Sequence, residues 1–163
     1  MINKVPLLEI DNLFPDGISF YIGMASFEDR CLSIIEALKQ PPEHCLFFKN
    51  VAAGYLAEKN LDRMVGMAVD RNTVIGLDLP SPITAAHAFT KALAEKITAS
   101  SVGAIFIDTT TFTHEQLLIL LRVLDQFRPK GKIYMGYIGA ERYSTNTDIE
   151  NVWLSRGVSQ IRT

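Results

Sequence analysis

Two short runs collect the side chains of this chain that can do chemistry. "DTTTFTHE", residues 108–115, sets one carboxylate and four threonine hydroxyls between an apolar stretch and a stretch of helical character. "GMASFEDR", residues 23–30, sets a glycine, a serine, a phenylalanine, two acids and an arginine at a similar junction. Threonine hydroxyls beside the free N–H groups of a helix start favour an anion, because those amides point outward and the helix dipole is positive there. The first run therefore reads as a phosphate cradle, with Asp108 at its root and Thr109, Thr111 and Thr113 as binding groups. In the second run, Glu28 and Arg30 offer an acid and a rigid two-pronged donor side by side. Gly23 lets a ligand approach the backbone, and Ser26 and Phe27 complete the binding set. The same residues also have purely structural uses. Thr113 can cap the helix, Thr109 can satisfy nearby backbone groups, Thr111 suits an extended chain, and Glu28 with Arg30 can be a surface cap.

The elements that must position these runs alternate regularly. Apolar runs at 18–23, 45–51, 73–79, 102–108 and 132–139 read as strands. Between them lie helical segments: one from Ser26 as N-cap to the residues before Pro41, one over 55–70, one opened by Ser81 and Pro82, and one opened by Thr113 with Gln116 at capping-box spacing. Thr147 and Glu150 repeat that spacing ahead of a short helix, and "VSQIRT" could add a sixth strand. Near-continuous apolar strands separated by helices require a sheet covered on both faces. The expected fold is a single α/β domain over residues 1–163: a doubly wound, mostly parallel five- to six-stranded sheet with helices on both faces. Ligands in such sheets sit beyond the carboxyl ends of the strands, at the switch point. Both marked runs fall there if strands one and four are neighbours, which is the expected order.

Composition narrows the classes. The chain is 48% hydrophobic and 21% charged, enough for one sizeable core. A formal charge of −2 argues against non-specific nucleic-acid binding. The N-terminus lacks a secretory pattern and no window approaches a membrane span, so no membrane partner is expected and the chain reads as cytoplasmic. Cys31 and Cys45 are expected as buried free thiols. Dinucleotide, P-loop and hydrolase-elbow signatures are absent, and the histidines show no zinc spacing. Glu28, Asp78 and Asp108 at three strand ends would suit Mg2+, although acids in such places also cap helices.

"GMASFEDRC", "FIDTTTFTHEQLLILLRVL" and "YSTNTDIENVWLSRGVSQIR" resemble the pattern of a set of bacterial Rossmann-like proteins. Those carry Gly-x-x-x-Phe-Glu-x-Arg after strand one, Asp-x-Ser/Thr-x-Phe-Thr after strand four, and a Trp-Leu-Ser-x-Gly-Val element. The resemblance implies roles in bacterial gene clusters, phage defence among them, and fixes no activity. It directs attention to Gly23, Phe27, Glu28, Arg30, Asp108, Thr111, Phe112 and Thr113. Those proteins run on with further α/β structure, which would make this chain a fragment or a compact member.

Two functions from different classes follow. One is a nucleotide- or phosphorylated-ligand-binding protein, in its enzymatic form an N-glycosidic hydrolase or transferase with Asp108 or Glu28 as nucleophile or acid/base. The other is a non-enzymatic module that senses a nucleotide or docks a protein partner, a homo-oligomer included, in a larger bacterial assembly. Carboxylates of Glu28 and Asp108 facing one pocket would favour the enzyme; a filled edge would favour the module. Val152, Trp153 and Leu154 are expected to be buried.

Overall fold

A computed structural model describes residues 5–69, 74–77, 81–97 and 103–139. Among the described residues five strands form one sheet: β1 (Phe20–Met24), β2 (His44–Asn50), β3 (Val74–Leu77), β4 (Ile105–Asp108) and β5 (Ile133–Gly136). Every pairing is parallel and the order is β3-β2-β1-β4-β5. Four helices connect them: α1 (Arg30–Ala37), α2 (Tyr55–Met67), α3 (Pro82–Lys96) and α4 (His114–Phe127). The chain winds outward from β1 to β3, then returns to lay β4 against the other side of β1. Strands one and four are thus neighbours, and the direction in which the chain winds reverses between them.

The alternation along each strand sorts its side chains into two cores. Phe20, Ile22, Met24, Leu46, Phe48, Ile105 and Ile107 pack with Phe89 and Leu93 of α3 and Leu120 and Leu124 of α4. Tyr21, Cys45, Phe47 and Phe106 pack on the opposite face with Ile34 and Ile35 of α1 and Leu61 and Met64 of α2. Cys31 and Cys45 are buried and form no disulfide. A 3-10 helix at Leu7–Leu13, which no period in the sequence announced, buries Ile10 and leads Phe14 over the outer strands on this second face. There Phe14 meets Phe106 and Tyr134 edge-on, with centroids 5.6 and 4.8 Å apart.

Several boundaries move from their expected places. Ser81 caps α3 through Thr84 N–H, with Pro82 in the first turn, as its pattern implied. Ser26 does not cap α1, which begins at Arg30 with Asp29 as N-cap and no side-chain cap bond. The Ser26 hydroxyl accepts from Glu28 N–H, ahead of the helix, and α2 takes up Asp29. Asn60, buried, donates Nδ2–H to the Ser26 carbonyl at 3.0 Å and to Asp29 Oδ1 at 3.1 Å, so the Asp29 carboxylate is turned away from its own helix. The chain enters α1 through tight i to i+3 bonds instead, Cys31 N–H to Glu28 O and Leu32 N–H to Asp29 O. Leu56, at helical spacing in the sequence, lies exposed on α2 beside the buried stripe of Ala57, Leu61 and Met64. The expected burial of Trp153, the capping pair Thr147 and Glu150, and the expected sixth strand lie outside the described residues.

Candidate functional site

The end of β4 carries a buried carboxylate. Asp108 is 3% exposed. Its Oδ2 accepts from the Tyr21 hydroxyl at 2.8 Å, and its Oδ1 accepts from Thr110 N–H at 3.0 Å. Burial pushes the Asp108 carboxyl up from the ordinary aspartate range, while the bonds from Thr110 and Tyr21 pull it back. Burial, and then the neighbouring Asp108, raise the Tyr21 hydroxyl well above its usual value, so near neutral pH it stays protonated and is the donor. The Tyr21 ring reaches this point by lying along its own strand: it stacks on Phe106 at 5.8 Å and covers Gly23. A Cβ at Gly23 would stand 2.9 Å from Tyr21 Cε1 and 3.1 Å from Met64 Cε. Gly23 sits inside β1 rather than at its end, and the space beside it is filled by Tyr21.

All four threonine hydroxyls have protein partners. Thr109 Oγ1 donates to the Gly136 carbonyl at 2.8 Å and Thr111 Oγ1 to the Met24 carbonyl at 2.6 Å. Thr110 Oγ1 accepts from Ile138 N–H at 3.1 Å. Thr113 and Gln116 form the complete capping box the sequence displayed, each side chain accepting the other's backbone N–H. Gln116 is itself held by Asn50 at the end of β2, 3.0 Å away. Phe112 turns inward and packs on Phe48 at 6.3 Å, anchoring the loop. Thr113→Ala is expected to lower stability by about 0.5–2 kcal/mol, measured by chemical denaturation, since it leaves the Gln116 amide without its cap.

The loop after β1 is drawn into the same lattice. Arg30 donates Nε–H to Glu28 Oε2 at 3.0 Å, directs a second guanidinium nitrogen to the same oxygen, and gives Nη1–H to the Ile138 carbonyl at 2.7 Å. The Glu28 carboxylate, with Tyr137 alongside, holds the guanidinium above its usual range. Ser26 Oγ accepts from Glu28 N–H at 3.4 Å. Phe27, between them, turns its ring outward and is 68% exposed.

The fold thus brings the two marked runs together at the switch point, but it gives the two carboxylates separate surroundings. Glu28 is half-exposed and paired with Arg30; Asp108 is enclosed with Tyr21 and Thr110. Among the described residues no group of three or more His, Cys, Asp or Glu side chains is placed to hold a metal ion; Asp78, the third acid considered for Mg2+, lies outside them. A concavity of about 160 Å³ opens at the opposite, amino edge of the sheet, lined by Asp11, Phe14, Gly17, Ile18, Leu38 and Lys39. It is smaller than the roughly 300–1,000 Å³ of pockets that take drug-sized ligands. The residues that sequence reasoning missed are Tyr21, Asn60 and Ile138. Tyr21 carried a signal, a polar tip in an otherwise apolar strand; the partners of the others are set only by tertiary contact.

Fold and edge together define a doubly wound α/β domain with its first strand at the centre, its fourth beside it and its carboxyl-edge loops bonded to one another. Compared with known proteins, the chain matches no family model and no curated sequence. Among the described residues no helix is long and apolar enough to cross a membrane.

Proposed function

We propose that this protein is a non-enzymatic α/β interaction module that docks a protein partner through the carboxyl edge of its sheet. One observation carries the reading. The loops after β1, β4 and β5 are tied to one another by Thr111–Met24, Thr109–Gly136, Thr110–Ile138 and Arg30–Ile138 hydrogen bonds, which leaves Asp108 enclosed. A nucleotide would have to displace those bonds to reach Asp108. The side-chain donors assigned to phosphate are already spent: the hydroxyls of Thr109 and Thr111 point at carbonyls, and the Arg30 fork is divided between Glu28 and Ile138. What the edge does offer is apolar surface from several loops, with Phe27, Val51, Tyr55, Leu56 and Tyr137 all exposed. Aromatic side chains in such positions are common anchors of protein contacts. A place in a larger bacterial assembly, phage defence included, rests on the sequence resemblance. A cytoplasmic setting is supported by two buried cysteines that form no disulfide.

A second reading, binding of a nucleotide or phosphorylated ligand with Asp108 as acid/base, is favoured by the raised Asp108 carboxyl, since shifted acids collect at functional sites. Calorimetric titration separates the two. The module reading expects no saturable heat with mono- and dinucleotides at millimolar concentration; saturable binding that Arg30→Ala abolishes would establish the second reading. Affinity capture from bacterial extract with wild type and a Phe27→Ser/Tyr55→Ser variant gives the positive test. A protein retained by the first and lost by the second is expected, and equal recovery would count against docking at this edge.

A further inference from the structure

We propose that residues 137–139 form a strap across the carboxyl end of β4 and that Arg30 is the latch that holds it closed. The sheet order carries the argument. In the sequence of neighbours β1-β4-β5, Arg30 belongs to the loop and helix that follow β1, while Ile138 follows β5. The 2.7 Å bond from Arg30 Nη1 to the Ile138 carbonyl therefore passes over the end of β4, where Asp108 sits. Adjacent strands stand about 4.8 Å apart, so two spacings make a gap that the long arginine side chain can span and a shorter one cannot.

Below the latch, the Ile138 amide donates to Thr110 Oγ1, and the Thr110 amide donates to Asp108. The Ile138 side chain packs against the apolar cluster that contains Tyr21 and Phe106. Ile138 is thus held by one hydrogen bond at its amide, one at its carbonyl and one apolar contact. Beside it, Tyr137, 58% exposed, lies against the same Arg30 guanidinium and adds to the hold. Glu28 acts as a positioning residue, because its carboxylate takes two of the guanidinium nitrogens and leaves Nη1 aimed at the strap. Lifting the strap would uncover Asp108, the Tyr21 hydroxyl and Thr110 together at the switch point. The device stands independently of the docking reading, which concerns the outer surface of the same loops.

Site-resolved hydrogen exchange on the full chain tests it. In Arg30→Met the amides of Ile138 and Thr110 are expected to exchange at least about tenfold faster than in wild type, the scale of losing one hydrogen bond to a charged group. Amides of Ile22 and Phe47 in the central strands should keep their wild-type rates. Glu28→Gln should accelerate the same two amides by a smaller factor, and Arg30→Lys, which keeps the charge without the fork, should fall between wild type and Arg30→Met. Unchanged exchange at Ile138 and Thr110 in Arg30→Met would overturn the latch. So would equal acceleration throughout the sheet, since it would mean that Arg30 serves global stability. Should Arg30→Met fail to fold, Arg30→Lys and Glu28→Gln supply the same comparison.

Discussion

Tyr21→Ala is expected to lower stability by about 3–5 kcal/mol, the usual cost of emptying a large aromatic site in a packed core. Tyr21→Phe should cost about 1–3 kcal/mol, because it leaves the ring in place and removes only the hydroxyl that satisfies a buried carboxylate. The ring part follows from full burial between Phe47 and Phe106. The hydroxyl part follows from the 2.8 Å bond to Asp108 and carries a pH signature.

Asp108 is an acid whose folded carboxyl is raised by burial, so the folded chain binds that proton more tightly than the unfolded chain does. Its contribution therefore favours folding below the unfolded value, near about 3.9 for aspartate. That contribution is lost as pH rises from there through the raised folded value, above which the penalty is constant. Tyr21→Phe removes a bond that stabilises the ionised form, so it pushes the Asp108 carboxyl further up and enlarges the loss. Urea denaturation of wild type and Tyr21→Phe should accordingly show a smaller difference below the window than above it. Asp108→Asn should flatten the dependence in both backgrounds. A Tyr21→Phe cost that does not change with pH would mean that the hydroxyl is not bonded to an ionising group.

The parallel sheet was legible because its central strands are apolar on both faces, which two-sided burial demands and which "FYIGM", "CLFFK" and "IFID" supply. The capping pair Thr113 and Gln116 was legible because its partners are three residues apart and need nothing else. The failures share one physical origin, long range. Ser26 was an N-cap by local rule, yet its hydroxyl meets Glu28 N–H ahead of the helix, and Asn60, 31 positions from Asp29, takes the carboxylate of the residue that stands at the N-cap instead. The threonine run presented four free hydroxyls on paper; Met24, Gly136 and Ile138, from other loops, occupy three of them. The Leu7–Leu13 turn was hidden because a seven-residue 3-10 helix leaves too short a pattern to read. The position of the site was thus readable from topology, while its closure depended on contacts between loops 27 to 108 residues apart in sequence.

Gly23 separates a ligand site from a packed one. If its missing side chain serves the approach of a ligand, Gly23→Ala should leave stability near wild type and weaken nucleotide binding. The structure argues for the other outcome. A new Cβ would meet Tyr21 Cε1 at 2.9 Å and Met64 Cε at 3.1 Å. The methionine end is flexible and can swing aside, but the tyrosine ring is fixed by Phe106, by Phe47 and by its bond to Asp108. Gly23→Ala should therefore cost about 1–3 kcal/mol in chemical denaturation, the range for an added methyl that a core cannot accommodate in place. Part of that cost should be the Tyr21–Asp108 bond itself, broken as the ring tilts away. Gly23→Ala and Tyr21→Phe should then be non-additive, the double variant losing less than the two single losses together, because both remove the same interaction. Strict additivity would show that the ring moves without releasing Asp108. A Gly23→Ala protein of unchanged stability would return this glycine to the role the sequence first suggested, and with it the case for a ligand at the end of β1.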